Sequence, residues 1–181
     1  MKPIKLETSR LLLRPYSAND RGQFLALNCD PEVRCHMNGP LTRQTADKRF
    51  NHVLTGQTDG RGASWAIIEK GTGAHIGHAF LELSDSHPFH ELGFLFFKSF
   101  WGRGYGTETA LRLVEYCLRD AGLPGLSASV DCDNSQSIRL LEKTGFNREF
   151  VAVDNHGPFF IYSIKHKHGG KTSAELKAEG K

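Results

Sequence analysis

The chain has 181 residues, 39% hydrophobic and 24% charged, with a net charge of +3. That length suits one domain with its own core. No apolar run approaches the ~20 residues of a membrane span. The four cysteines (Cys29, Cys35, Cys117, Cys132) form neither a Cys-x-x-Cys pair nor a zinc-ligand spacing. From Lys165 onward, five lysines and two glutamates account for the whole positive excess, so the body is neutral and no nucleic-acid-binding face is expected. The opening residues lack an apolar stretch of export-signal length, so a cytoplasmic protein with reduced thiols, no bound metal and no membrane contact is expected.

The first predicted strand is the Leu11–Leu13 run ahead of Pro15. Ser17 or Asp20 can cap a helix that carries Phe24, Leu25 and Leu27 and stops before Pro31. A second helix is expected from Thr42 to about Thr55, with Ala46, Phe50, Val53 and Leu54 on one face. "GQTDGRG" is turn chemistry. Three strands then follow with short turns between them, "SWAIIEK", "AHIGHAFLEL" and "HELGFLFFK", which indicates an antiparallel meander. The strongest helix comes next. Ala110, Leu111, Val114, Cys117, Leu118 and Ala121 draw one stripe, Glu108–Arg112 and Glu115–Arg119 are i,i+4 pairs, and Gly122 and Pro124 end it. "LSASVDC" is a strand, and "DNSQSIRLLEKTGF" is a short helix capped by Asp133 or Asn134 and closed by Gly145. Two strands around Asn-His-Gly finish the body, and residues 167–181 read as a disordered basic tail.

Between the third meander strand and the strong helix lies "FWGRGYGTE", with Gly102, Gly104 and Gly106 alternating along it. A helix start offers unpaired N–H groups and about half a positive charge. Bare backbone there lets a phosphate or diphosphate approach, with Arg103 as a cation at the rim and Thr107 as a hydroxyl in the first turn. The ATP-type loop G-x-x-x-x-G-K-[ST] is absent. The dinucleotide fingerprint fails at its last glycine, where Thr107 stands, although Asp131 lies where a ribose-binding acid belongs.

In order, "ELGFLF", "SFWGRGYGTETALR" and "DNSQSIRLLEKTGF" resemble the central strand, the pyrophosphate loop with its helix, and the Asn-x-x-Ser helix of the GNAT superfamily of N-acetyltransferases. With the opening "LETSRLLLRPYSANDRGQFLAL" and "DPEV", the chain is similar to the RimJ/RimL-type branch over about residues 6–165. Trp101 stands at the first position of the Gln/Arg-x-x-Gly-x-Gly/Ala signature, as is familiar from that branch. The resemblance implies an α+β fold over residues 1–166: a mostly antiparallel twisted sheet of six or seven strands, about four helices, and central strands that splay after Gly93. It implies acetyl-CoA as cosubstrate, its diphosphate held by N–H groups around Arg103, Gly104, Tyr105, Gly106 and Thr107. Main-chain groups of Phe94, Leu95 and Phe96 would pair with the pantetheine arm, and Asn134 would meet it from the other side.

Acyl transfer to an amine needs a neutral amine, an oxyanion donor, a proton for the thiolate, and alignment. A main-chain N–H at Phe94 or Leu95 would be the oxyanion donor. Relatives use a tyrosine on the Asn helix as the acid; Leu141 occupies that position, and Ser137 is the substitute. Glu91 is the leading base, with Glu82, His78 and His90 as alternatives. His156 and Tyr162 could touch the substrate, and Arg139 or Lys143 could meet the 3′-phosphate. The acceptor is a protein N-terminus or a small amine (polyamine, amino acid or antibiotic), and the protein a monomer or homodimer. A non-catalytic acyl-CoA sensor is the alternative from another class.

Overall fold

The computed structural model describes residues 3–55, 62–84 and 86–166. Strands β1 (Leu6–Glu7) and β2 (Leu11–Arg14) precede helices α1 (Arg21–Cys29) and α2 (Arg43–Thr55). Strands β3 (Ala63–Glu69), β4 (His75–Leu83) and β5 (His90–Phe96) follow. Then come α3 (Tyr105–Glu115), β6 (Gly125–Asp131), α4 (Ser135–Lys143), β7 (Asn147–Asp154) and β8 (Gly157–Lys165). Residues 56–61 of the expected turn and the expected tail at 167–181 lie outside the described residues.

All eight strands join one sheet, in the order β1-β2-β3-β4-β5-β6-β8-β7. That is one more strand than expected. β1 is too short to show a period in sequence, yet it pairs with β2 through Leu6 and Leu13. Every pairing is antiparallel except β5 with β6, which run parallel and share only two register pairs, His90 with Leu126 and Glu91 with Ser127. Beyond Glu91 the two strands part, two residues earlier than the expected splay at Gly93. The other edge of β5 stays paired with β4 along its whole length, so the gap opens on one side only.

Side-chain alternation sorts the core into two layers. On one face, α3 and α4 cover Trp65, Ile67 and Leu81, with Leu113, Cys117 and Leu141 supplied by the helices. On the other, Phe24, Leu25, Ala46 and Phe50 of α1 and α2 pack on Tyr16, Ala66 and Ile68. Leu54 and Leu111, both expected on buried stripes, are exposed. The buried face of α3 runs instead through Tyr105, Thr109, Ala110 and Leu113, two of which hydropathy alone would not select. A π turn, Tyr116–Asp120, continues the helix, and three consecutive residues, Tyr116, Cys117 and Leu118, are buried there.

Candidate active site

A short 3₁₀ turn, Lys98–Phe100, carries β5 into the glycine loop, and Trp101 Nε1 donates to the Phe96 carbonyl at 2.8 Å. Gly102 (φ 71°) and Gly104 (φ 79°) are left-handed, which is why glycine stands at both. Gly104 is the N-cap of α3 and brings no capping side chain. The first helical bond runs from Glu108 N–H to the Gly104 carbonyl at 3.1 Å, so the N–H groups of Tyr105, Gly106 and Thr107 precede the ladder. Gly106 is bare for a different reason: a Cβ there would sit 2.7 Å from Leu140 Cδ1 and 3.5 Å from Phe94 Cε2. It lets α3 approach α4 and β5.

Arg10, which no sequence pattern singled out, braces this loop. Its guanidinium bonds Glu108 Oε2 at 2.6–2.7 Å, donates to the Arg103 carbonyl at 2.9 Å and lies 4.6 Å over the Tyr105 ring. Glu108 also accepts from Thr8 Oγ1, at 2.5 Å, and from Arg10 N–H. Burial works against ionisation of Glu108, but Thr8 and Arg10 outweigh it and hold the carboxyl below the usual range. The expected Glu108–Arg112 pair therefore gives way to a contact 98 residues away in sequence, and Arg112 turns to Glu115. The Tyr105 side chain is buried, and Arg103 is exposed with its guanidinium 5.3 Å over the Phe100 ring.

Backbone direction along β5 decides which groups face the gap. The Leu95 carbonyl points at β4, only 2.6 Å from where a Gly77 Cβ would stand, and Phe97 N–H bonds the Ile76 carbonyl. In an antiparallel pair the N–H and C=O of one residue point the same way, and successive residues alternate. Leu95 thus turns its N–H to β4, while Phe94 and Phe96 turn theirs to the gap. This corrects the expectation for Leu95 as a main-chain donor. The Phe96 carbonyl is taken by Trp101, which leaves both main-chain groups of Phe94 and the N–H of Phe96.

Across the gap, α4 begins at Asn134, whose Oδ1 accepts from Ser137 N–H at 3.1 Å. Capping uses the oxygen and leaves the amide NH₂. Ser137 is half-buried in the first turn. Leu141, one turn on, is buried in the main core. Arg139 and Lys143 are exposed. Tyr162 is fully buried and donates to Glu142 Oε1 at 3.1 Å, so it does not reach the gap. His156 is exposed in the β7–β8 turn.

The α1/α2 face of the sheet opens into a cavity of about 710 Å³, lined by Glu82, Glu91, Leu95 and His78 from β4 and β5, by Asp131, and by Arg34 and Arg49. Glu82 and Glu91 are register partners, and Ser84 Oγ donates to Glu91 at 3.4 Å. Burial pushes the Glu82 carboxyl above its usual range, with Arg49 opposing and Glu91 adding. His78 forms part of the floor. Burial drives its imidazole down to about 3, and its Nδ1 lies 2.9 Å from Tyr16 Oη. So weak a base is poorly matched to neutral pH, which removes His78 from the candidate bases. His90 is lowered too, by burial. A larger groove, about 1010 Å³, runs along α3 and β8 and includes Glu108, but none of its lining residues belongs to β5 or to residues 100–107.

Residues 10–147 match the model of the acetyltransferase (GNAT) domain. The chain is 31% identical to the uncharacterized N-acetyltransferase YoaA of Bacillus subtilis over 155 residues, 83% of this chain and 86% of that one. Its fold is similar to that of the GNAT-family acetyltransferase from Bacillus anthracis (TM-score 0.80, 21% identity, 91% of this chain and 100% of that one). It is similar as well to the spermidine N-acetyltransferase from Vibrio cholerae, solved in complex with CoA and spermine (TM-score 0.76, 17% identity, 88% and 97%). A parallel strand pair that parts beside a glycine-capped helix, on a domain match spanning most of the sequence, leads to one conclusion: this chain belongs to the GNAT family of acetyltransferases.

Proposed function

We propose that this acetyltransferase passes the acetyl group of acetyl-CoA directly to a primary amine, with both substrates held at once. The observation that carries the reading is the one-sided gap: β5 and β6 part after two register pairs, and Phe94 turns its backbone groups into the opening. In this reading the N–H groups of Arg103, Gly104, Tyr105, Gly106 and Thr107 hold the diphosphate at the start of α3. The paired Arg10 cancels the Glu108 charge that would otherwise repel it. Phe94 and Phe96 pair with the pantetheine arm, and the Asn134 amide meets it from α4. Leu95 contributes its side chain to the acceptor wall.

Acetyl-CoA supplies the activated acyl group; the chain supplies positioning and proton handling. Glu91, through water, takes the proton that the amine loses as its nitrogen bonds the acyl carbon. Phe94 N–H donates to the acyl oxygen as negative charge builds there. The carbon–sulfur bond breaks, and Ser137 Oγ–H gives the departing sulfur a proton that water then replaces. The placement in the RimJ/RimL-type branch rests on the opening residues and on Trp101. The acceptor is a protein N-terminus or a small amine. Thiol release measured with acetyl-CoA and a panel of amines tests the proposal. Release should require amine, and Gly104→Asp should weaken acetyl-CoA binding more than a hundredfold by placing a carboxylate at the diphosphate. Binding without release for every amine would make the protein a sensor, and unchanged affinity in Gly104→Asp would remove the cradle.

A further inference from the structure

The acceptor cavity holds a buried arginine without an acidic partner. Arg34, on the segment between α1 and α2, is 5% exposed and lines the cavity. Its Nε donates to the Gly39 carbonyl at 2.8 Å, Nη2 to the Met37 carbonyl at 2.7 Å and Nη1 to Asn28 Oδ1 at 3.2 Å. All three acceptors are neutral. Among the described residues no carboxylate lies within 4 Å of its guanidinium. A buried charge is costly unless it is paired, and a guanidinium carries five N–H donors, of which three are used here. Arg49, exposed on α2, lines the same cavity with no hydrogen bond or salt bridge among the described residues, and its charge acts on Glu82 at longer range. Burial, with Arg49 nearby, lowers the Arg34 guanidinium's affinity for its proton. Two arginines line one cavity with no carboxylate in salt-bridge contact, Arg49 acting on Glu82 only at longer range, and together they can receive an anion.

The same cavity also carries the other sign. Glu82 and Glu91 lie side by side on β4 and β5, and Glu91 is at the point where the gap opens. Arg34, Arg49 and Glu91 line one cavity. Val33, the residue before Arg34, packs in one buried cluster with Leu95, on the strand that borders the gap. We infer that the acceptor is a small amine that carries its own carboxylate, an amino acid or close analogue. Its carboxylate is held by Arg34 and Arg49 while its amino group sits between Glu91 and the gap. This rests on the acetyl-transfer reading above and narrows it. The carboxylate makes charge-assisted, fork-shaped hydrogen bonds with guanidinium, a geometry that lysine could not reproduce. A polyamine would bring a second positive charge against the two arginines. A peptide N-terminus would have an amide where they expect an anion.

The test compares acceptors that differ only in the carboxylate. Amino acids, their methyl esters, the corresponding amines, tripeptides with the same first residue, and spermidine are assayed for thiol release with the full chain and acetyl-CoA. The acids should exceed their esters at least tenfold in kcat/KM. Arg49→Gln should raise KM for the acids about tenfold, the equivalent of one charge-assisted bond, and leave KM for acetyl-CoA unchanged. Arg34→Lys supplies the second variant if Arg34→Gln does not fold. Esters, tripeptides or spermidine used as well as the acids would overturn the inference while transfer stands. Calorimetric binding of amino acids to the CoA-loaded protein, lost in Arg49→Gln and without thiol release from any amine, would keep the carboxylate clamp and sink the transfer reading. Neither binding nor release of any acid would overturn the inference.

Discussion

The two faces of the sheet are built by different means. On the α3/α4 face, the proposed cradle is nearly all main chain: a left-handed Gly104 at an N-cap, the first N–H groups of a helix, and an asparagine that caps the next one. On the α1/α2 face, the cavity is nearly all side chain: Glu82, Glu91, Arg34 and Arg49, over a floor that includes a buried histidine. Backbone geometry suits a ligand portion that never changes, and side chains suit one that must be chosen. The difference teaches that substitutions should act on one face without disturbing the other.

The largest separation is expected from Glu91→Gln. Removing the proposed base should cost about a hundredfold in kcat/KM, while acetyl-CoA affinity, which we assign to the other face, should stay within twofold. The loss should shrink as pH rises and more of the amine arrives unprotonated. A pH profile of both proteins checks this, and equal activity at neutral pH would mean that no base acts at Glu91.

The cavity floor should respond to acid before the cradle does. His78 is neutral in the folded protein, its pKa depressed to about 3 chiefly by burial. Once unfolded it returns to ~6.5, so between those two values the unfolded chain binds the extra proton. Its contribution is therefore complete above ~6.5 and is lost as pH falls below that value. From pH 7 to pH 5, stability should drop by ~2 kcal/mol through this residue alone. Denaturant melts at the two pH values measure it, and His78→Gln should flatten the slope.

Ser137→Ala comes next. Deleting the acid should lower kcat about tenfold, at the small end for proton transfer, with acetyl-CoA affinity unchanged because Asn134 still caps α4. A serine serving only helix structure would leave kcat where it is, since the capping bond uses its N–H and not its hydroxyl.

The caps and glycines of the proposed cradle were legible in sequence because they are local. A glycine before a regular helix, an asparagine three residues before a serine, and Gly145 ahead of Phe146 are signals that span a few residues each, and the structure uses Asn134 and Gly145 as caps. What stayed hidden was long-range. Arg10 reaches Glu108 across 98 residues and displaces the helical pair that spacing suggested. The direction of the Leu95 backbone follows from its register with β4, which no periodicity in β5 reveals. Arg34 stands in an irregular segment where arginine reads as surface, and only the fold closes Gly39, Met37 and Asn28 around it.

The smallest effect expected is also the sharpest within the cradle, because it separates two glycines two residues apart. Gly106 has no left-handed φ, so alanine there meets no backbone strain. Its Cβ would meet the Cδ1 end of Leu140, a flexible side-chain tip that can swing aside. Gly106→Ala should therefore cost ~1 kcal/mol of stability, the low end of overpacking, partly offset by alanine's better helix propensity. Acetyl-CoA affinity should fall only a few-fold, because the substitution loads the side of α3 that faces Leu140 and Phe94 and leaves its first N–H groups in place. If Gly106→Ala weakened binding as severely as Gly104→Asp, the ligand would lie against the Gly106 side of α3, and the division between a glycine for packing and a glycine for the ligand would be wrong.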